Sequence, residues 1–538
     1  MIAAASLAVL MIAGAPVPVV AVQDATAQGV AFEPADIFAI PPAVRAPTDD
    51  ETAQIERLVG EAETARDAER FDEAIQKAGE LVAIAEATYG PHHPVTASSR
   101  NIIGQILYVR GDIDGAGAVF QQGLEDRRAA LGDAHPDVAE SLNNLASVAS
   151  RQGRLDVSMA RIQQAVQVWI AAYGEDHPDV LEGLKNLGWS HYDQGQYAQA
   201  EAAFRRADAV AGRLFGPDDP RRATAQTALG NTLSSLGRFD EAEAAYRAAV
   251  AAYVRPGAAP TTAAGLALNG LGNIRGLKGD HLEAADLFRQ TTEIMGAVLG
   301  ADHAFVGASL THAGESLFRA GQAQRAEPLL RRGLEIREAR NGVEHSETQL
   351  TRLRLAEVLL AQDRPLEAES LSRRAVAGLQ TALGADHLET TRARQVWAQA
   401  LGANGQTQAA LDQAKQALTA LESRPADDPY VLDARGRLAV LMRRSGDAGT
   451  ALTVLGETPE AAEQRLGARH PASLSYRSER AEILADMNQG AAAWRELGQG
   501  ALAGDPRASG LLDSGARATA MRRASRLKVR AAWIAAAD

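Results

Sequence analysis

Hydrophobic and polar positions follow a helical rhythm that restarts every 42 residues along most of the chain. Within each period, apolar residues recur three and four positions apart, which places them on one face of a helix. Glycines mark the period at positions 90, 132, 174 and 216, and again at 300, 342 and 384. Self-similarity at a fixed period is typical of repeat proteins. The pattern therefore predicts about eleven helical units between residues 48 and 508.

Two columns of small residues divide each unit into a first and a second helix. Counted from the glycine that opens the unit, the fifteenth position is Gly104, Ala146, Gly188, Gly230, Gly272, Gly314, Ala356, Ala398, Ala439 and Ala481. The twenty-seventh position is alanine in every unit except one, which carries Ser158. Helix axes approach to about 8 Å only where side chains are small. The columns therefore predict where the two helices of a unit pack together.

The turn between the two helices is marked by glycine. The twenty-second position is Gly111, Gly153, Gly195, Gly237, Gly279, Gly321, Gly405 and Gly446. Glycine just past a helix accepts the left-handed conformation that ends it. A large apolar residue such as Phe120 or Phe204 follows four positions after the second small column. This spacing places both residues on the same face of the second helix.

Histidine recurs at the fourth position of the units. The seven examples are His93, His135, His177, His303, His345, His387 and His470. Two other units carry Asp219 or Asp428 there, each followed by proline. Aspartate is a favoured helix cap and proline is favoured at the first helical position, so the slot predicts a helix start. Metal ligands must lie within about 2–2.5 Å of one ion, whereas stacked units are farther apart, so we expect no shared metal and no cofactor.

The repeated units resemble a known family. The segments "HPDVAESLNNLASVASRQGRLDVSMA" and "GNTLSSLGRFDEAEAAYRAAV" are similar to tetratricopeptide repeats (TPR), specifically to the 42-residue variety typified by kinesin light chain. The resemblance extends from about residue 48 to 508. It implies an all-α fold, a right-handed superhelical solenoid of antiparallel helix pairs. In the family, the first helices line a concave groove that commonly holds peptide segments of partner proteins.

The later units depart from the regular pattern. At the eleventh position, where earlier units have apolar residues such as Leu142, the last four units carry Arg352, Arg394, Arg435 and Arg477. Arginine in an apolar column predicts first helices that are rotated, more exposed or only loosely repeat-like. We therefore divide the repeats into a regular part, residues 48–341, and a more divergent part, residues 342–508.

Polar residues on the first helices are the candidate partner-binding residues. If the first helices face the groove, the candidates are Asn101, Asn143, Asn144, Lys185, Asn186, Trp189, Tyr192, Asn231, Asn269 and Asn273. An asparagine side chain donates and accepts at once, which suits pairing with an extended peptide. Family members typically hold peptides with asparagines at the thirteenth position, here Asn144 and Asn186, and Trp189 is a candidate apolar anchor. The alternative is that these asparagines are merely solvated and multiplied with the repeat.

The two ends of the chain differ from the repeats. Residues 1–27 show a secretory signal pattern, an uncharged apolar run with Pro16 and Pro18 and small residues before Gln28, although no basic residue precedes the run. An uncleaved anchor is the alternative, because the uncharged run is just long enough to span a bilayer. Either interpretation predicts an exported protein, in the bacterial periplasm. Residues 28–47 are rich in proline and alanine and are predicted to form a linker.

Residues 509–538 are predicted to form a basic C-terminal capping helix. Its basic residues are Arg517, Arg522, Arg523, Arg526, Lys528 and Arg530. The last repeat of a solenoid needs a solvent-compatible face, which such a helix supplies. The alternative is docking to anionic lipid or to an acidic partner. Membrane contact is expected only through this tail or through the N-terminal segment.

Charge and composition narrow the function. The net charge of −13 argues against a nucleic-acid binder, which needs a basic face. The chain has no cysteine, and it lacks the P-loop, H-E-x-x-H and G-x-S-x-G motifs. We therefore expect a non-enzymatic scaffold that binds protein or peptide partners. The alternatives are a regulatory or sensor subunit acting with a separate enzyme, such as a caspase-like protease, and a structural component of a cell-envelope assembly or export complex.

Overall fold

The computed structural model describes residues 43–503, whose regular secondary structure is entirely α-helical. The predicted signal peptide, most of the predicted linker and the predicted basic C-terminal helix lie outside these residues. None of the helices described is both long and apolar enough to cross a membrane. The chain divides into two compact units, Met1–Lys278 and Gly279–Asp538, which are described separately.

The first unit contains eleven helices in its described part. The first helices of its repeats are α1 (Asp49–Asp67), α3 (Pro94–Arg110), α5 (Pro136–Arg151), α7 (Pro178–Asp193), α9 (Pro220–Ser235) and α11 (Thr262–Leu277). The second helices are α2 (Phe71–Tyr89), α4 (Ile113–Leu131), α6 (Leu155–Tyr173), α8 (Tyr197–Phe215) and α10 (Phe239–Tyr253). Each helix packs against the next one along the chain. The predicted all-α array of helix pairs is confirmed here.

The second unit continues the same alternation. Its second helices are α12 (His281–Leu299), α14 (Ala323–Arg340), α16 (Pro365–Leu383), α18 (Thr407–Thr419), α20 (Ala448–Leu455), α21 (Thr458–Leu466) and α23 (Gly490–Ala503). Its first helices are α13 (Ala304–Arg319), α15 (Ser346–Ala361), α17 (Leu388–Ala403), α19 (Pro429–Arg444) and α22 (Pro471–Asp486). Helices α20 and α21 together take the place of one second helix, because the helix is interrupted at Gly456. The first helices number eleven across both units, as the period predicts.

The first small column makes room for the large residues of the second helix. A methyl group at Gly104 would lie 2.5 Å from Cε1 of Phe120, and one at Gly188 would lie 2.5 Å from Cε1 of Phe204. Where the column carries Ala146, the unit has the smaller Ile162 at the equivalent place, and both are buried. The predicted packing of first against second helices is confirmed by these contacts.

The turn slot holds a left-handed residue even where glycine is missing. Gly153, between α5 and α6, has φ +72° and needs no strain to adopt it. Three units place another residue in the same slot: Glu69, Asp363 and Asn488 have φ of 57°, 59° and 60°. A side chain at such a φ costs roughly 1–2 kcal/mol. The repeat geometry therefore imposes the conformation, whatever residue occupies the slot.

The expectation that the late arginines lie on exposed or loosened helices is wrong for Arg352, Arg394 and Arg477, whereas Arg435 is half-buried. The side chain of Arg352 is only 2% exposed, and those of Arg394 and Arg477 are also buried. Their helices are regular, since α15 and α17 each span 16 residues, as α5 does. The eleventh position is therefore a core position in these units as well.

Each of these three buried arginines has an acceptor fourteen residues earlier, on the preceding second helix. Arg352 donates to Oε1 of Glu338 at 2.5 Å, and Arg394 donates to Oε1 of Gln380 at 2.8 Å. Arg477 pairs with Glu463 in the same relation. An early unit follows the same rule with Arg100 and Glu86, which are joined at 2.6 Å. A partner at this fixed offset is what allows a charged side chain to replace leucine in the core.

Candidate partner-binding surface

The recurrent histidines start the first helices. His135 Nδ1 accepts a hydrogen bond from the Asp137 N–H at 3.1 Å, and His177 Nδ1 accepts one from Asp179 N–H at 3.2 Å. The other five histidines of the column cap their helices in the same way. Asp219 and Asp428 make the equivalent bond with a carboxylate oxygen, and Thr261 caps the unit that lacks both histidine and proline. The predicted helix-start role is confirmed.

These caps require a neutral imidazole, because an accepting Nδ1 cannot carry a proton. Burial lowers the pKa of His177 to about 4, and it also lowers the pKa of His135 below its ordinary value. Near neutral pH both rings are therefore uncharged. They hold the first turns of α5 and α7 without contributing positive charge to the surface beside them.

Two of the capped helices carry the same polar pattern. We define the α5–α7 stripe as Asp137, Glu140, Asn144 and Ser147 on α5 with Asp179, Glu182, Asn186 and Trp189 on α7. On each helix these residues are separated by three, four and three positions, so they share one face. The two sets are 42 residues apart, which places them at equivalent positions of neighbouring repeats.

The predicted asparagines form a hydrogen-bonded ladder between successive first helices. Asn144 Nδ2 donates to Asn101 Oδ1 at 2.9 Å, which joins α5 to α3. Asn186 Nδ2 donates to Asn143 Oδ1 at 2.9 Å, which joins α7 to α5. Asn101, Asn144 and Asn186 are all buried. Part of their hydrogen-bonding capacity thus stabilises the stacking of repeats, and their role in holding a partner stays a prediction.

The carboxylates of the stripe lie beside the ladder. Glu140 accepts from Asn101 Nδ2 at 3.0 Å and lies 3.0 Å from Nη2 of Arg127, whose side chain is 2% exposed. Glu182 lies 2.7 Å from Nζ of Lys185. Asp137, Asp179 and the two glutamates are not among the residues predicted from the sequence to bind a partner. The signal that points to them is Asp-x-x-Glu, which follows the histidine cap in two consecutive units.

Negative charge is concentrated around Asp179. Burial, together with the charges of Glu140, Glu182 and Asp137, raises the pKa of Asp179 to about 6. Carboxylates this close disfavour one another's ionised form unless a cation separates them. The stripe therefore favours a positively charged group between its two helices.

The aromatic candidates lie at the C-terminal end of the stripe. The Trp189 ring packs edge-on against Tyr192 and Phe204, with centroids 5.5 and 5.2 Å away. The Tyr192 hydroxyl lies 3.0 Å from Ser235 Oγ on α9. A small cavity of about 20 Å³ lies next to Trp189 and Asn186. Trp189 thus lines this cavity and also presents a partly exposed apolar surface.

The remaining predicted residues lie on later first helices. Asn231, on α9, accepts a hydrogen bond of 2.5 Å from the Tyr246 hydroxyl of α10. Asn269 and Asn273 lie on α11, where Asn269 is buried. The structure therefore joins the candidates of α3, α5 and α7 through hydrogen bonds, and it places Asn231 in an intra-repeat contact.

Comparisons with known proteins point to one family. A model of the tetratricopeptide repeat matches residues 51–129, 100–166, 137–209, 207–253, 263–339 and 347–423, which together make up more than half of the chain. No curated protein matches the sequence.

Solved structures with similar folds include repeats assigned to a kinesin light chain of Podospora anserina, at 23% identity and TM-score 0.33, covering 37% of this chain and 94% of that one. BtubC (BKLC) from P. vanneervenii is 20% identical, with TM-score 0.36 and coverage of 47% and 94%. The apo quorum sensor NprR from B. thuringiensis is 10% identical, with TM-score 0.45 and coverage of 70% and 99%. These low and partial likenesses carry no argument about partners.

Proposed function

Because the chain belongs to the tetratricopeptide repeat family, with a period of 42 residues, we propose that it is a non-enzymatic scaffold. In this proposal it holds peptide segments of partner proteins against its first helices. The observation that carries the proposal is the α5–α7 stripe, where polar side chains of neighbouring repeats are aligned and where Asn144 and Asn186 are each held by a hydrogen bond to an asparagine of the preceding first helix. Side chains already held in place lose little conformational freedom on binding, which favours affinity.

Solvent access to the stripe supports the proposal. The side chains of Asp137, Glu140, Asp179 and Glu182 are 25–38% exposed. They are therefore fixed at one end by the helix and accessible at the other. Trp189 lies beside them as a partly exposed ring, the kind of side chain that often dominates binding energy at an interface.

Export to the periplasm is part of the proposal and is supported by the signal pattern in residues 1–27. Cell fractionation tests it, together with mass spectrometry of the mature N-terminus. Recovery in the periplasm with an N-terminus near Gln28 is the expected result. Recovery of the intact chain in the cytoplasm would remove export from the proposal and leave the scaffold function standing.

Crosslinking with mass spectrometry in native extracts tests the scaffold function. The wild type is compared with the double variant Asn144→Ala and Asn186→Ala. The control is Gln76→Ala with Gln121→Ala, which removes two exposed amides from the second helices α2 and α4. Circular dichroism and thermal melting verify that each variant is folded.

Loss of a crosslinked protein in the stripe variant alone is the expected result. An unchanged set of crosslinks in all three proteins would contradict the proposal that this face binds the partner. The identity of the crosslinked protein separates the alternatives, since a protease indicates a regulatory subunit and an envelope component indicates a structural role.

A further inference from the structure

The face equivalent to the stripe is electrically balanced in the second unit. Glu315 lies 2.7 Å from Arg319, and Glu357 lies 2.8 Å from Arg392. Arg354 contacts these two carboxylates at 3.4 and 3.3 Å. Glu315, Arg354 and Arg392 occupy the same repeat positions as Trp189, Asn186 and Glu182. Glu347 and Glu389 occupy the positions of Asp137 and Asp179, and Arg337 lies 2.8 Å from Glu347. Four arginines thus accompany four glutamates, and this face has no surplus charge that would attract an ion.

The α5–α7 stripe has no such balance. It presents four carboxylates, whereas the cations paired with them are Arg127 and Lys185. His135 and His177 lie 3.7 and 3.6 Å from Asp137 and Asp179, but both rings are neutral near pH 7 because they accept cap hydrogen bonds. The stripe therefore carries a surplus of about two negative charges at a partly exposed surface.

A second observation, at the C-terminal end of the stripe, concerns an unsatisfied hydroxyl. The cavity beside Asn186 and Trp189 is also lined by Ser158, whose side chain is 1% exposed. Within the described part of the chain, no hydrogen-bond partner is found for its Oγ atom. A buried polar group left unpaired is unfavourable, so such an atom is normally satisfied by a water or a ligand. The cavity is large enough for about one such group.

We propose that the α5–α7 stripe binds an extended peptide segment bearing arginine or lysine side chains, whose cationic ends lie between the carboxylates of the two helices. This inference rests on the proposed scaffold function and names the chemical class of its partner. A metal ion is a poorer match, since no group of three or more acidic or histidine side chains among residues 43–503 could hold one. Guanidinium groups pair with carboxylates through two parallel hydrogen bonds, which favours arginine.

Fluorescence anisotropy with defined probes tests the inference. The probes are three fluorescein-labelled peptides of equal length, each with three copies of a triplet: Arg-Ser-Gly, Gln-Ser-Gly or Glu-Ser-Gly. They are titrated with the full chain, with the double variant Asp179→Asn and Glu182→Gln, and with the single variant Asp137→Asn. The control is Asp72→Asn with Glu125→Gln, which removes two exposed charges from the second helices α2 and α4.

We expect the arginine probe to bind about tenfold more tightly than the glutamine probe, and the glutamate probe to bind least. The stripe variants should lose most of this preference, and the control should retain it. Binding should also strengthen from about pH 5 to pH 7, because burial and neighbouring carboxylates raise the pKa of Asp179 to about 6 and a bound cation favours its ionised form. Salt should weaken the binding.

Equal affinity for the three probes, or an arginine preference that survives in the stripe variants, would overturn the inference. Absence of binding by all three would overturn it too. These outcomes leave the scaffold function to be decided separately by the crosslinking of the Asn144 and Asn186 variant. A partner lost in that experiment, but bound through a neutral or acidic segment, would support the scaffold and refute the basic partner.

Discussion

Removing the acceptor of a buried arginine should destabilise the second unit more than removing the arginine and its acceptor together. The perturbation is Glu338→Ala, which leaves the 2% exposed Arg352 without its carboxylate and with the Gln349 amide oxygen as its remaining side-chain acceptor. Breaking a buried ion pair costs about 3–5 kcal/mol. The Glu338 side chain is 33% exposed, so water can replace part of the lost interaction. We therefore expect a cost of about 2–3 kcal/mol.

Two variants built from the chain's own sequence serve as controls. Glu338→Gln reproduces the pairing of Gln380 with Arg394 and should cost about 1 kcal/mol or less. The double variant Arg352→Leu and Glu338→Ile reproduces the apolar residues found at these two positions in the unit of α7. It should lie within about 1 kcal/mol of the wild type, because an apolar pair can replace a buried ion pair at little cost.

Amide hydrogen exchange is the appropriate assay, because repeat proteins unfold in parts and a single global transition is not assured. A cost of about 2 kcal/mol corresponds to roughly thirtyfold faster exchange in α15. Equal costs for Glu338→Ala and Glu338→Gln would refute the reasoning that Arg352 needs an acceptor. A double variant as unstable as Glu338→Ala would refute the view that the position is an ordinary core position.

Three further predictions concern packing, backbone and caps. Gly104→Ala should lower the free energy of unfolding by about 1–3 kcal/mol in denaturant melts, because its methyl group would lie 2.5 Å from Phe120. Adding Phe120→Ile should restore the stability. A Gly104→Ala variant as stable as the wild type would contradict the packing argument. Glu69→Gly should raise the free energy of unfolding by about 0.5–1 kcal/mol, since glycine adopts a φ of 57° without strain. Arg70→Ala, a substitution at the neighbouring exposed residue, should not stabilise the protein. His177 has its pKa lowered to about 4, so its cap is intact above about pH 6.5 and is lost as the pH falls towards 4. Asp179 titrates in the opposite sense in that window, because its pKa is raised to about 6. The test therefore compares the free energy of unfolding of the wild type with that of His177→Asn, whose cap does not titrate. On acidification the wild type should lose about 1 kcal/mol relative to the variant. A difference that does not vary with pH would refute the prediction.

Much of the fold was predictable because its determinants are local. Three features act within one repeat: a helix cap, a left-handed turn residue and a small residue at a helix crossing. Each of them recurs at a fixed position of the period. His135 and His177 illustrate this, since the bond that caps each helix spans only two residues. Where glycine is missing from the turn, as at Glu69, the residue between the two helices still adopts the left-handed conformation.

The candidate site was predictable only in part. The period identified Asn144 and Asn186 as residues of the first helices, but their mutual register could not be derived from it. The amide of Asn144 is bonded to Asn101, which is 43 residues away. The role of the carboxylates beside them could not be predicted, because a single Asp or Glu on a helix is ordinarily a solvated surface residue. Their importance comes from being brought together across two repeats.

The sequence by itself determined the repeat, the order of helices, the caps and the turns, because these depend on residues close together along the chain. Only the tertiary structure decided that Arg352 is a core residue paired with Glu338, that the asparagines form a ladder, and that the charge of α5 and α7 is unbalanced. The physical reason is that burial and electrostatic pairing depend on distances between side chains of different helices. A one-dimensional period places those helices in order without showing which atoms meet.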